Sequence, residues 1–211
     1  MSGDPLRKLA IGYAPPEARA GLAALLALDD ALGQVLRTTR EPMVGQMRLA
    51  WWREALARLD ETAVPGEPVL SALAAAVIPR GVSGERLATM VDGWEVLLAE
   101  PGEVGFERHA VARGAGLFAA AARLLGVEGF DVVEAGKGWA LADLAGNLSD
   151  RALAAVARTL AAPLLTKATR RRWPRRARAL GAMVHAARLG LAGPLRPTSV
   201  LRLGWHRLTG G

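Results

Sequence analysis

Apolar residues recur along this chain at the three- and four-residue spacing of helices. From Glu17 to about Arg37, Leu22, Leu25, Leu26, Leu32 and Leu36 share one face. Asp29 falls inside that stripe and Asp30 beside it, so Asp29 stands where a functional carboxylate would be conspicuous. Residues 1–15, with Asp4-Pro5, Gly12 and Pro15-Pro16, leave room for at most a short helix. After Thr38-Thr39 a second helix opens at Pro42, whose missing donor costs nothing in a first turn, and it ends near Asp60. Its spacing predicts Met43, Met47, Ala50, Trp51, Ala55 and Leu59 on the inner side, with Arg48, Trp52 and Arg53 at the edges.

Further helices follow the same logic. Val69 to Val77 is short and stopped by Pro79 and Gly81, and Ser83 caps the next, which carries Leu87, Met90, Val91, Trp94, Leu97 and Leu98 inward. Gly105 to Gly126 reads as one helix, with Val111, Ala115, Phe118, Ala119, Ala122 and Leu125 inward. Gly114 and Gly116 in its middle each cost about 1 kcal/mol relative to alanine, which points to a close helix contact or a ligand approach there. Glu134 to about Leu160 is one long helix or two in tandem, on which Asp143, Asn147 and Asp150 form a polar stripe. A last helix spans Ala177 to Leu191. The predicted domain is thus residues 1–192, followed by a Pro/Gly/Arg-rich tail, 193–211.

Composition narrows the chemistry. Alanine and leucine dominate a 211-residue chain that is 51% hydrophobic, enough for one sizeable all-α core. Cysteine is absent, which excludes disulfides, thiolate catalysis and cysteine-ligated metals and suits a cytoplasmic setting. The net charge of +7 fits an anionic partner or, equally, the codon bias of a GC-rich genome. Its densest cluster is Arg170, Arg171, Arg172, Arg175 and Arg176, a candidate contact for an anion or for the inner surface of a membrane. Only Trp173 interleaves that run and no nucleic-acid reading module is present, so nucleic acid is not an expected partner. His109, His185 and His206 lack ligand spacing, and no P-loop, GxGxxG or GxSxG motif occurs.

Taken together, the motif order resembles the squalene/phytoene synthase family across most of residues 20–190. Trp52-Arg53 is similar to that family's WR pair, Gly114–Gly126 to its AGxVG…LG helix, and Gly138–Asp150 to its GxALQLTNILRD helix. The resemblance implies a helical isoprenoid-synthase-like bundle around a central cavity. In active members it also implies two aspartate-rich motifs that grip Mg²⁺ and the diphosphates of prenyl substrates.

Those motifs are incomplete here. Where DDxxD should fall, near Gly33 to Thr38, the chain has no acidic residue, and Asp29 and Asp30 lie one turn early without a carboxylate at i+3 or i+4. A gapless match of the second motif sets its aspartates on Ser149 and Leu153, and one insertion recovers Asp150 but leaves Ala154 as its partner. Met47-Arg-Leu-Ala-Trp-Trp-Arg53 is similar to Met-Arg-x-x-Phe-Trp-Lys in the assembly-factor relatives of mitochondrial complex I, a branch that also lacks these aspartates. The expectation is a catalytically degenerate protein that holds an isoprenoid or other lipid, or serves as an assembly factor for a protein partner, with no cofactor. The alternative is an active Mg²⁺-dependent prenyltransferase with a rearranged site. Candidate binding residues under either reading are Asp29, Asp30, Arg37, Arg40, Arg48, Trp52, Arg53, Asp143, Asn147 and Asp150, with no metal ligand assigned.

Overall fold

The computed structural model describes residues 5–61, 66–193 and 197–211. Among the described residues the regular structure is helical throughout, with no strand, as the apolar spacing requires. In chain order the helices are α1 (Pro5–Tyr13), α2 (Pro16–Thr38), α3 (Pro42–Ala57), α4 (Pro68–Ala76), α5 (Gly84–Ala99) and α6 (Glu103–His109). A π-helical turn, Ala110–Ala115, joins α6 to α7 (Gly116–Leu125), and α8 (Val133–Asn147), α9 (Arg151–Thr169), α10 (Arg178–Leu191) and α11 (Pro197–Thr209) follow. None of the described helices is long and apolar enough to cross a membrane.

Local chemistry accounts for the boundaries. Proline opens α2, α3 and α4 within the first turn. The Ser83 hydroxyl accepts from the Arg86 amide to cap α5, and the Asp150 carboxylate accepts from the Ala152 and Leu153 amides to cap α9. Asp150 therefore divides the 134–160 segment into two helices in tandem. Contrary to the expected stop near Leu160, α9 continues through Pro163 to Thr169. Pro163 lies on the exposed side of α9, where solvent can serve the carbonyl it leaves without a donor.

Helix α8 lies at the centre of the bundle, against α7, α9, α10 and the π-turn, while α3 packs on α5, α2 on α4 and α7, and α1 on α10. The core is mainly leucine and alanine, with Trp52, Trp94, Trp139, Trp173, Phe106 and Phe118 as its large members. In α2 the predicted face is the buried one, Asp29 included. The segment expected to be a tail contains α11, which packs on α10. The Trp173 amide donates to the Gly210 carbonyl and the Tyr13 hydroxyl to the Leu203 carbonyl.

Of the residues predicted inward on α3, only Ala55 and Leu59 pack on the core. Met43 is 72% exposed, Met47 68% and Trp51 47%, and Ala50 is exposed as well. The buried side carries Gly45, Leu49, Trp52 and Leu56, continuing to Leu59 just beyond the helix. Both sides of this helix are apolar, so spacing alone did not choose between them. The buried set repeats at alternating intervals of four and three, the seam expected for packing along a neighbouring helix. Val111, also predicted inward, is 52% exposed, and the π-turn puts Arg113 inside instead.

Candidate functional site

Asp29 is the deepest carboxylate among the described residues, 1% exposed within the leucine stripe of α2. Its partner is Arg113, equally buried, from the π-turn. Arg113 Nε donates to Asp29 Oδ1 at 2.7 Å and Nη2 to Asp29 Oδ2 at 2.9 Å, a two-pronged pairing that suits the planar guanidinium. Nη2 also donates to Asp143 Oδ2 of α8 at 2.6 Å, and Nη1 lies 3.3 Å from His109 Nε2. The rings of Trp94 and Trp139 flank the guanidinium, their centroids 4.3 and 4.8 Å from its central carbon.

A second arginine closes the cluster. Arg7 of α1 donates to Asp29 Oδ2 at 3.0 Å, to Asp30 Oδ1 at 2.7 Å and to the Leu26 carbonyl at 3.1 Å. Two guanidiniums thus meet the carboxylates Asp29, Asp30 and Asp143, drawn from α1, α2, α8 and the π-turn.

Glycine makes the assembly sterically feasible. A Cβ on Gly114 would lie 2.4 Å from the Gly136 carbonyl oxygen, and one on Gly136 would lie 2.3 Å from the Gly114 carbonyl oxygen. The backbones of the π-turn and α8 therefore touch. This is the close contact that Gly114 pointed to, and it brings Arg113 within reach of Asp143, whereas a Cβ on Gly116 would meet only Met90 Cγ, at 3.4 Å. On the other side a Cβ at Gly93 would meet the Arg113 amide nitrogen at 2.7 Å, so α5 presses equally close.

The electrostatics follow from burial and pairing. Burial alone pushes the Asp29 carboxyl up, but the charges and hydrogen bonds of Arg113 and Arg7 outweigh it, and Asp29 is held below its ordinary value. Asp30 moves the other way, raised by partial burial, which the attraction of Arg7 does not cancel. His109 is pushed down to about 4, first by burial and then by the adjacent Arg113 charge. It is neutral at pH 7, with Nδ1 donating to the Gly93 carbonyl and Nε2 left to accept from Arg113.

The remaining sequence candidates are placed as follows. Asn147 donates to the Asp143 carbonyl, one turn back on α8. Asp150 serves as the α9 cap, away from the cluster. Arg37 reaches the Gln34 side chain and the Asp30 carbonyl, Arg48 the Thr38 and Thr39 hydroxyls, and Arg40 is exposed. Arg53 ties α3 to α5 through Asp92 and Glu95. Trp52 is buried edge-on against Trp51. The arginine run divides: Arg171, Arg172 and Arg176 donate to the Asp131, Thr209 and Leu125 carbonyls, while Arg170 and Arg175 stay exposed.

Sequence reasoning did not single out Arg7 or Arg113. Arg113 had a visible signal, since it is the lone cation inside an otherwise small and apolar segment. Beside the cluster opens a cleft of about 240 Å³ between α1, α8, α9 and α10, lined by Leu6, Arg7, Trp139, Asp143, Arg158 and Met183 among others.

No match to the chain was found among curated proteins or among solved structures. A family model described as Squalene/phytoene synthase matches residues 3–100, a span that holds Arg7, Asp29 and Asp30 and ends before Arg113 and Asp143. Over that span the chain is similar to the squalene/phytoene synthase family.

Proposed function

We propose that this protein is a non-catalytic member of the squalene/phytoene synthase family, holding an isoprenoid-like lipid or a protein partner rather than condensing prenyl diphosphates. One observation carries the reading: the guanidinium of Arg113 occupies the space between Asp29 and Asp143. Metal-dependent ionisation of a diphosphate calls for carboxylate oxygens free to bind Mg²⁺. Both oxygens of Asp29 already accept charge-assisted hydrogen bonds, and Arg113 holds Asp143 as well. Among the described residues no three histidine, aspartate or glutamate side chains are grouped so as to hold a metal. The residues present do not fit the family's metal clamp. An arriving dication would have to expel a buried cation stacked against two indoles. The cluster supplies internally the positive charge that an active synthase would take from Mg²⁺.

The adjoining cleft supports a holding role. It has an apolar wall at Leu6, Trp139 and Met183 and a charged rim at Arg7, Asp143 and Arg158. The test is incubation of the purified protein with Mg²⁺ and farnesyl or geranylgeranyl diphosphate, following pyrophosphate release. No release above background is expected, and a head-to-head product at enzymatic rates would overturn the reading. Titration of tryptophan fluorescence with the same compounds in chelator, the Trp139 share taken as the difference from W139F, separates holding from inertness, since a saturable change is expected without metal.

A further inference from the structure

Charge is divided along this chain in a way that the total of +7 conceals. Residues 151–211 contain 13 Lys and Arg and no Asp or Glu, so all 20 acidic residues and the other 14 cations lie in residues 1–150. Among the described residues, no Lys or Arg beyond Asp150 forms an ion pair with a carboxylate. The side chains that are satisfied there, such as Arg171, Arg172, Arg176 and Arg178, donate to backbone carbonyls, which leaves their charge uncompensated.

Two of these cations meet at a pocket. Thr166, Thr169 and Arg170 lie at i, i+3 and i+4 at the end of α9, and His185, Arg188, Leu189 and Ala192 repeat that spacing on α10, so both helices turn one face to a space of about 600 Å³. Arg170 and Arg188 have no hydrogen-bond or ion-pair partner among the described residues. Gly211 also borders the space. Trp205 stands at the edge, 63% exposed, with Leu208 one turn on, 74% exposed.

We propose that this pocket receives the phosphate of an anionic lipid headgroup, with Arg170 and Arg188 as its cationic contacts and Trp205 and Leu208 entering the adjoining interfacial layer. The two unpaired guanidiniums supply a doubly charged, multiple-donor receptor for a phosphate. The exposed indole and leucine favour a bilayer over a free anion as the source, because an amphipathic ring is most stable at the headgroup level. The absence of Asp and Glu from residues 151–211 adds long-range attraction to a negatively charged surface. The proposal is independent of the Arg113 cluster and holds whether or not that site is catalytic.

The test is co-sedimentation of the full chain with vesicles of phosphatidylglycerol in phosphatidylcholine, and with phosphatidylcholine alone. R170A/R188A is compared with R151A/R175A, which removes the same charge from exposed positions outside the pocket. Anionic vesicles are expected to bind wild type, with affinity falling roughly tenfold or more in R170A/R188A and under about threefold in R151A/R175A. The emission of Trp205, taken as the difference from W205F, is expected to shift to the blue on binding. Thermal melts establish that each variant is folded before it is compared. Equal losses in the two double variants, equal binding to phosphatidylcholine alone, or saturable binding of inorganic phosphate without vesicle association would each overturn the proposal.

Discussion

Arg113 and Asp29 stand 84 residues apart in sequence and share two parallel hydrogen bonds, 2.7 and 2.9 Å long, in a place that solvent hardly reaches. Loss of Arg113 leaves the buried Asp29 with only the partly exposed Arg7, and loss of Asp29 leaves the buried Arg113 with only Asp143. Arg113→Met is therefore expected to destabilise the fold by about 3–5 kcal/mol, measured by urea unfolding. Arg113→Lys is expected to recover little, because one ammonium cannot reproduce the planar fork. The double variant D29L/R113M is expected to be markedly more stable than R113M alone, since it removes both fully buried charges, while Arg7 keeps Asp30 and Asp143 is partly exposed.

The same cluster sets an acid limit. His109 has a folded value of about 4 against an ordinary 6.5, so the unfolded chain binds the extra proton first. Stability is then full above about pH 6.5 and falls as pH drops toward 4, by roughly 3 kcal/mol from this group. Asp29, whose folded value is depressed, adds a further loss at lower pH, as the medium falls through its ordinary value and below. Denaturant midpoints measured across pH 4–7 for wild type and H109N isolate the histidine's share. Asparagine can still donate to the Gly93 carbonyl but does not titrate, so the H109N profile is expected to be flatter.

Gly136→Ala directs a methyl group at the Gly114 carbonyl oxygen, at a separation backbone atoms do not tolerate. The π-turn and α8 must move apart, with an expected loss of about 1–3 kcal/mol. Thermal unfolding reads this, and Gly146→Ala, which meets nothing within 4 Å, is the control from the same helix.

Asp150→Ala removes the α9 cap and is expected to cost about 1 kcal/mol, while Asp150→Asn, still able to accept from the Ala152 and Leu153 amides, is expected to cost less. Chemical denaturation of the two variants distinguishes a cap from a ligand carboxylate, for which the order of effects would not follow capping preference.

Met43→Lys and Met47→Lys together are expected to change stability by no more than about 0.5 kcal/mol, because both side chains already meet solvent. Leu49→Ala, on the opposite side of α3, is expected to cost about 2–5 kcal/mol. Urea midpoints of these variants test directly which side of α3 is buried.

Much of this architecture can be read before any coordinate is known. The leucine stripe of α2, the cap at Ser83 and the close approach at Gly114 were each signalled by the residues that make them, and each appears where they place it. Asp29 was legible for the same reason, as a carboxylate in an apolar stripe. The inward side of α3 was not, because a helix apolar on both sides gives two self-consistent readings and only its neighbour α5 decides. Arg113 was not assigned to Asp29 because pairing across 84 residues is a property of the tertiary fold, and the wide turn that aims it leaves no mark in the sequence. Arg7 escaped notice because a cation in a short leading helix looks like any surface residue until α1 docks.

The wide turn has a consequence for comparing this chain with others. Bonds from i to i+5 hold one more residue in a turn than bonds from i to i+4. A relative whose corresponding segment is an uninterrupted α-helix would need one residue fewer to keep the flanking helices in phase. Ungapped superposition of two such sequences across Ala110–Ala115 would then slip by a single position, and every downstream carboxylate would be matched to the neighbour of its true counterpart.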